Sequence, residues 1–425
     1  MPVNGLIFIL CLFLISSRHD AHAQTLVETI DLALKHSSVL RQQHYQTDLA
    51  FIDKAINQAA RDAEVELHLL GGAGQVATSK GAARFVQNGE RYPLSAILEL
   101  SYPIDIWGSD KRDDEIHTKT IQQKALDAEF TKHSTILDAV DVYVALARGN
   151  IERELQQERV TLLTKKVEEA EIQLSVGLYT PPFVEQIIAE KVEAESLLMD
   201  YELALGRDAL LFQRLTGHRP VQTTNKIDIP FFPKSIDSIR EKIDDAPQVK
   251  SLQYALQTAH LEVDNTDADY RSTLELIGNG GVQEGNIYLA ERIYNYEFML
   301  RWEIPLNNRA LRSAAKSRSQ VLAAIRQEGV KDARELIEYQ IMQLIKQYET
   351  ALAQADKLER ILVVKSENLA ATSHEAKVGK STEFEVMERH YDWKETQSLL
   401  NLNHNTQALI AYQVRSLLGM THDVE

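Results

Sequence analysis

The run Tyr294-Asn295-Tyr296-Glu297-Phe298-Met299-Leu300-Arg301-Trp302-Glu303-Ile304 decides the fold. Every even position is aromatic or aliphatic, and all odd positions but Met299 are polar. A period of two places one face of an extended chain in an apolar medium and the other in water. Leu94, Ala96, Leu98, Leu100 and Tyr102 alternate in the same way with Ser95, Ile97, Glu99 and Ser101. Val65, Leu67 and Leu69 alternate with Glu64, Glu66 and His68. Strands of ~9–11 residues with aromatic ends are what a transmembrane β-barrel requires. Tyr92, Tyr102, Trp107, Tyr294 and Trp302 lie where an interfacial aromatic girdle would sit. An ordinary sheet packed on helices also alternates, so a single strand leaves both readings open. Four such strands, paired as hairpins and each pair followed by a very long helix, favour the barrel.

Working outward, the chain holds two copies of one unit. Val176-Gly177-Leu178-Tyr179-Thr180 recurs as Val378-Gly379-Lys380-Ser381-Thr382, a shift of 202. Glu66-Leu67 and Gly71-Gly72 recur as Glu275-Leu276 and Gly280-Gly281, a shift of 209. Copy one covers 24–217 and copy two 247–425. The intervening 218–246, with prolines at 220, 230 and 233, reads as a linker. Each copy is expected to run helix, strand, strand, long helix, helix. Copy one places these at about 25–60, 63–76, 91–106, 109–175 and 182–216. Copy two places them at about 247–270, 272–284, 292–305, 308–377 and 382–418.

The long helices follow from missing proline and from periodicity. No proline occurs between Pro103 and Pro181 or after Pro305. Ile337, Ile341, Leu344, Tyr348, Ala351, Ala355, Leu358 and Leu362 step by four and three, a heptad seam that argues coiled-coil packing. Val140, Val144, Ala147 and Ile151 repeat it in copy one. A helix over 109–175 would run ~100 Å at ~1.5 Å per residue, so it must span something.

Four strands cannot close a membrane barrel, since known ones start at about 8. An open edge in lipid would leave backbone N–H and C=O groups unpaired, each costing several kcal/mol. The wall must therefore be shared between chains. Three chains would supply twelve strands, with cyclic symmetry and a pore on the axis.

Composition narrows the classes further. The 425 residues carry 62 Asp+Glu against 46 Lys+Arg, a net charge of -16, which argues against nucleic acid because phosphate neutralisation needs clustered Lys and Arg. Leu6–Ile15 is an apolar run too short to span a bilayer and followed by Ala21-His22-Ala23, so 1–23 reads as a signal peptide with cleavage before Gln24. No Lys or Arg precedes that run, and Cys11, the only cysteine, lies inside it. Disulfides, thiol chemistry and Cys-ligated metal are then not expected in the mature chain, and a lipid-modified N-terminus is not favoured.

No catalytic constellation appears in the sequence. GxxxxGK[ST], GxGxxG after a strand, GxSxG and HExxH are missing, and none of the thirteen His has Glu three residues before it, as a di-iron bundle would need. Asp114 before His117 reads as a solvated helix face, and His36 and His44 as surface residues. No enzyme, cofactor or metal site is expected.

These features together resemble the TolC-like outer-membrane factors over nearly the whole mature length. The points of match are the duplication, Tyr102-Pro103-Ile104 and Trp302-Glu303-Ile304-Pro305-Leu306 leading into the long helices, and the Val-Gly turns. The resemblance implies a homotrimer in the Gram-negative outer membrane, a 12-stranded barrel above a coiled-coil α-helical periplasmic tunnel. It implies a passive exit duct of a tripartite efflux or type I secretion system. It also implies that Val176, Gly177, Leu178, Thr180, Val378, Gly379 and Thr382 form turns at the tunnel tip. Those turns would dock a periplasmic adaptor that links to an inner-membrane pump of the resistance-nodulation-division or ABC type. Glu385 and Glu388 match the acidic ring at the narrow periplasmic aperture; their spacing puts both on one helix face, where rings of acids favour cations. From spacing alone the reading as solvated surface acids is the stronger one; the resemblance brings the ring level with it. Other gate positions depart from the family: Ala376 stands where a tyrosine is usual, Ser381 beside Lys380 where an arginine is, and Phe183 where an acid is. The alternative is a periplasmic coiled-coil scaffold or adaptor with a small sheet, never inserted in lipid. The substrate is not readable, since ducts of this family serve drug, metal-ion and protein export alike.

Overall fold

In the computed structural model the described residues are 25–72, 74–76, 89–91, 94–221, 227–230, 232, 236–284 and 292–420. The expected signal peptide, Cys11, the cleavage site before Gln24, and Tyr92 lie outside them. In chain order the elements are α1 (Leu26–His36), α2 (Ser38–Ala59), β1 (Glu64–Gly71), β2 (Gly74–Val76), β3 (Gly89–Arg91), β4 (Leu94–Ile104), α3 (Ser109–Ser175) and α4 (Pro181–Thr216). They continue as α5 (Ile236–Ile243), α6 (Pro247–Asp269), β5 (Thr273–Glu284), β6 (Arg292–Glu303), α7 (Arg309–Lys377) and α8 (Glu383–Leu417). The order of helix, strands, long helix and helix occurs twice. In copy one each extended stretch is divided, β1 from β2 and β3 from β4. β1 ends at the Gly71-Gly72 pair, which brings no side chains to cross-strand packing.

Helix ends follow local chemistry. Thr25 and Glu28 form a reciprocal capping box on α1. Asp105 accepts the N–H groups of Trp107, Ser109 and Asp110 at 3.2, 3.0 and 3.0 Å, anchoring the start of α3. Pro181 and Pro182 open α4, where a fixed φ and a missing N–H cost nothing.

The chain divides into two compact units that cut across the two copies. The first comprises residues up to 43, 128–249 and 333 onward; the second comprises 44–127 and 250–332.

The first unit is helical, and the heptad seams form its core. Ile337, Ile341, Ala351 and Ala355 are buried, with Leu344 and Tyr348 packed against the cluster. Val140, Val144, Ala147 and Ile151 are buried as well. The 218–246 stretch carries structure of its own. Phe232, Ile239 and Ile243 join Ile337, Ile341, Ile410 and Val414 in one cluster, and Phe232 stacks on Tyr348 with centroids 4.1 Å apart. Ile236-Asp237-Ser238-Ile239-Arg240-Glu241-Lys242-Ile243 is amphipathic at helical period; α5 buries Ile239 and Ile243 and leaves Arg240 to pair with Glu338 at 2.7 Å.

The second unit is built on an antiparallel four-stranded sheet of order β1-β4-β5-β6, with β2 and β3 paired separately. Register places Leu67 opposite Leu98, Leu98 opposite Gly280, and Gly280 opposite Tyr296. One residue along, Glu66, Glu99, Asn279 and Glu297 form the next row. Successive rows point to opposite faces, so one face is apolar and the other polar.

Candidate functional site

Two regions can do something other than hold the fold: the sheet and the turns between paired helices. On the sheet, the apolar face is exposed. Leu69 is 70% accessible, Leu98 51%, Tyr296 85% and Phe298 75%. An exposed apolar face of this extent marks a contact with a membrane or another protein. On the polar face, His68 lies 3.0 Å from Glu66 and 3.6 Å from Glu99. Glu275 receives Arg301 at 3.2 Å and the Ser101 hydroxyl. Among the described residues β1 and β6 are the outer strands, so each has one unpaired edge.

The residues expected to form a girdle separate into two groups. Tyr294 pairs across with Val282 near one end of the sheet; Trp302 pairs with Leu274 near the other, and Tyr102 with Leu276. Tyr294 and Trp302 are eight residues apart, roughly 26 Å along the strand, close to the ~25 Å apolar band of an outer-membrane barrel. Trp107 sits off the strands, between β4 and α3. Its indole N–H donates to the Ser272 carbonyl at 2.7 Å, and the Arg271 guanidinium lies 4.7 Å from its ring centroid.

In the first unit the two Val-Gly turns share one geometry. Gly177 has φ +78° and Gly379 φ +73°. Leu178 N–H donates to the Gln173 carbonyl at 2.9 Å and Gly177 N–H to Leu174 at 3.0 Å. Lys380 N–H donates to Glu375 at 2.9 Å and Gly379 N–H to Ala376 at 3.1 Å. Each is the double bond of a Schellman stop, which needs a left-handed residue after the last helical turn. A Cβ at either glycine would meet nothing within 4 Å, so conformation and not space selects glycine there. The side chains around the turns project outward: Val176 is 64% accessible, Leu178 70% and Val378 57%. Tyr179 and Phe183 meet edge to face at 4.7 Å. An apolar knob on a rigid helical hairpin can seat against another hairpin.

The helices beneath the turns are tied together. Ala170, Val184 and Ile187 pack between α3 and α4. Lys394 on α8 bridges to Glu154 at 3.0 Å and to Glu158 on α3, and Lys365 on α7 donates to the Asp392 carbonyl at 2.9 Å.

Thr180, Thr382, Glu385 and Glu388 are all exposed, but their roles differ. Thr180 precedes α4 without a side-chain cap bond. Thr382 caps α8 in a reciprocal box with Glu385. The Glu385 carboxylate accepts the Ser381 hydroxyl and the Thr382 N–H at 2.9 Å, and those bonds hold it below the usual carboxylate range. The i, i+3 reading of Glu385 with Glu388 missed this cap, although Thr-x-x-Glu before a helix is its signature. Ser381, where the family has an arginine, is part of it.

No known protein family matches the chain in sequence, and neither does any characterised protein. Solved structures do match in fold. The CmeC outer membrane channel of Campylobacter jejuni superposes with a TM-score of 0.81 at 15% identity, over 95% of this chain and 88% of that one. CusC, described as forming a transmembrane channel, gives 0.76 at 14%, over 93% and 92%. The outer membrane protein VceC of Vibrio cholerae gives 0.69 at 16%, over 93% and 95%. The fold is that of the TolC-like outer-membrane factors.

Proposed function

We propose that this chain is an outer-membrane exit duct, working without a covalent step, as a homotrimer whose three sheets close a twelve-stranded barrel. The observation that carries the reading is the sheet: one exposed apolar face, one charged face and two unpaired edges. Edges of this kind are tolerated in lipid only if another chain pairs with them. Because the four strands alternate in direction, β6 of one copy meets β1 of the next antiparallel, which is what a closed cyclic ring needs. The fold shared with channel proteins supports the same conclusion.

The Val-Gly turns, Thr180 and Thr382 are the proposed seat of a periplasmic adaptor, which would couple the duct to an inner-membrane pump of the resistance-nodulation-division or ABC type. The barrel lies in the Gram-negative outer membrane and the helices in the periplasm. Glu388, together with Glu385, would line the periplasmic aperture and favour cations. The test is solubility and mass. The protein should require detergent, run as a heat-sensitive trimer and conduct ions across a planar bilayer. A soluble, non-conducting monomer would replace the duct with a periplasmic scaffold.

A further inference from the structure

Within the second unit the helices follow the lateral order of the strands, and each neighbouring pair is bonded. α2 meets α3 through Lys54 on Thr118 at 2.9 Å and Gln58 on Asp114 at 3.3 Å. α3 meets α6 through Arg112 on Asn265 at 3.2 Å and through the Lys119 ammonium, 5.2 Å from the Tyr254 ring centroid. α6 meets α7 through Asp267, which takes both Nε and Nη2 of Arg312 at 2.8 and 2.7 Å. Among the described residues, no further helix of this unit lies beyond its outer flanks, α2 beside the β1 edge and α7 beside the β6 edge.

Those two flanks match. On α2, Tyr45, Leu49, Ile52 and Ile56 are 54–68% accessible and step by four, three and four. They lie on the side of the helix away from Lys54 and Gln58, which bond to α3. Asp48 and Asp53 border this stripe. On α7, Leu311, Leu322 and Ile325 are 43–60% accessible and share a side with Arg318, turned from the α6-facing Arg312 and Ser319. From Arg309 to Gln327, α7 carries five basic residues and no acid. Asp48, Asp53 and Arg318 are exposed, and none is held by a hydrogen bond or ion pair among the described residues.

The duplication fixes how the flanks would meet. Moving the α3–α6 junction by the repeat shifts carries Tyr254 back 209 positions onto Tyr45, and Lys119 forward 202 positions to 321, between Arg318 and Leu322. We propose that the α7 flank of one copy seats on the α2 flank of a second copy, Leu322 beside Tyr45 and Leu311 beside Ile56. Arg318 then enters between Asp48 and Asp53 of the partner copy. This would repeat, between chains, the side-by-side pairing that α3 and α6 make within one, with Val321 standing where Lys119 does. The occupant is a second copy because stripe, charge and level all complement the chain's own opposite flank, and because the strand edges beside them also need one. The inference rests on the trimer reading above and adds its seam.

The full chain carrying both Tyr45→Cys and Leu322→Cys, purified in detergent and treated with a short bismaleimide, tests it. Cys11, the native thiol, lies in the stretch expected to be removed. Most of the protein should move to dimer and trimer bands on a denaturing gel, while neither single variant gives a trimer band. Trimers by light scattering without a cross-linked ladder would overturn the seam and leave the duct standing. A monomeric parent protein would overturn both. As a second measure, Arg318→Glu should lower the temperature at which the trimer dissociates, and Asp48→Lys with Asp53→Lys should restore it. If the charge reversal has no effect, or the acid changes fail to restore it, the Arg318 assignment falls.

Discussion

Glu385 and Thr382 hold each other. The Thr382 hydroxyl accepts the Glu385 N–H at 3.2 Å, and the Glu385 carboxylate accepts the Thr382 N–H at 2.9 Å. A residue that the resemblance assigns to an aperture ring fastens the start of α8. The two roles separate by measurement. Glu385→Ala should speed amide exchange in the first turn of α8, and Glu388→Ala should leave it alone. The two substitutions together should weaken cation preference in bilayer conductance. Unaltered selectivity would return both acids to the solvated surface.

The left-handed turns make a second prediction. Gly177→Val or Gly379→Val places a β-branched residue at φ above +70°, where the cost is ~1–2 kcal/mol. Nothing is packed against either site, so trimers should survive while export fails through a displaced turn. Export at the parent rate would detach these turns from adaptor docking.

Neighbouring positions on β4 report the two faces of the sheet. Leu98 belongs to the apolar face and Glu99 to the polar one. Leu98→Arg should destabilise the lipid-inserted protein by ~2–4 kcal/mol, the range for a cation at the bilayer midplane. Glu99→Arg should leave insertion intact and shift ion selectivity toward anions. Equal tolerance of both in vesicle refolding would place the sheet outside lipid.

Asp267 makes acid sensitivity specific. Its bonds to Arg312, then to Arg271, hold its carboxyl well below the usual range. A depressed folded value means the contribution is complete above about pH 4 and is lost as pH falls through the folded value. Asp267→Asn should cost on the order of 1 kcal/mol at neutral pH, as a partly exposed pair would, and should flatten the fall in melting temperature on acidification. Parallel pH curves for variant and parent would remove Asp267 from that role.

The segment between the copies supplies a stability test. Ile239 is 2% accessible and lies in the cluster with Ile337 and Ile341. Ile239→Ala should cost ~2–5 kcal/mol and open residues 227–243 to protease. Unchanged thermal unfolding would mean α5 adds nothing to the core.

Much of the fold was legible because its signals are local and periodic. A period of two along Tyr294–Ile304, a seam from Ile337 to Leu362 and Gly177 repeated at Gly379 each depend on backbone geometry alone. They gave the element types, their order, the duplication and the turns. The face of each strand was also readable, since register cannot slip by one residue without inverting it. Sequence favoured lipid for that apolar face only when the four strands were taken together, and the candidate sites remained tied to a resemblance.

What the chain determined by itself, then, was secondary structure and its repetition. Tertiary structure alone decided that Phe232, Ile239 and Ile243 of the connecting stretch are core residues. It also decided that Trp107 is held by Ser272 and Arg271. The physical reason is distance along the chain. Period and turn chemistry act within a few residues, whereas a side chain's burial and partners depend on segments a hundred or more positions away, which no local pattern encodes.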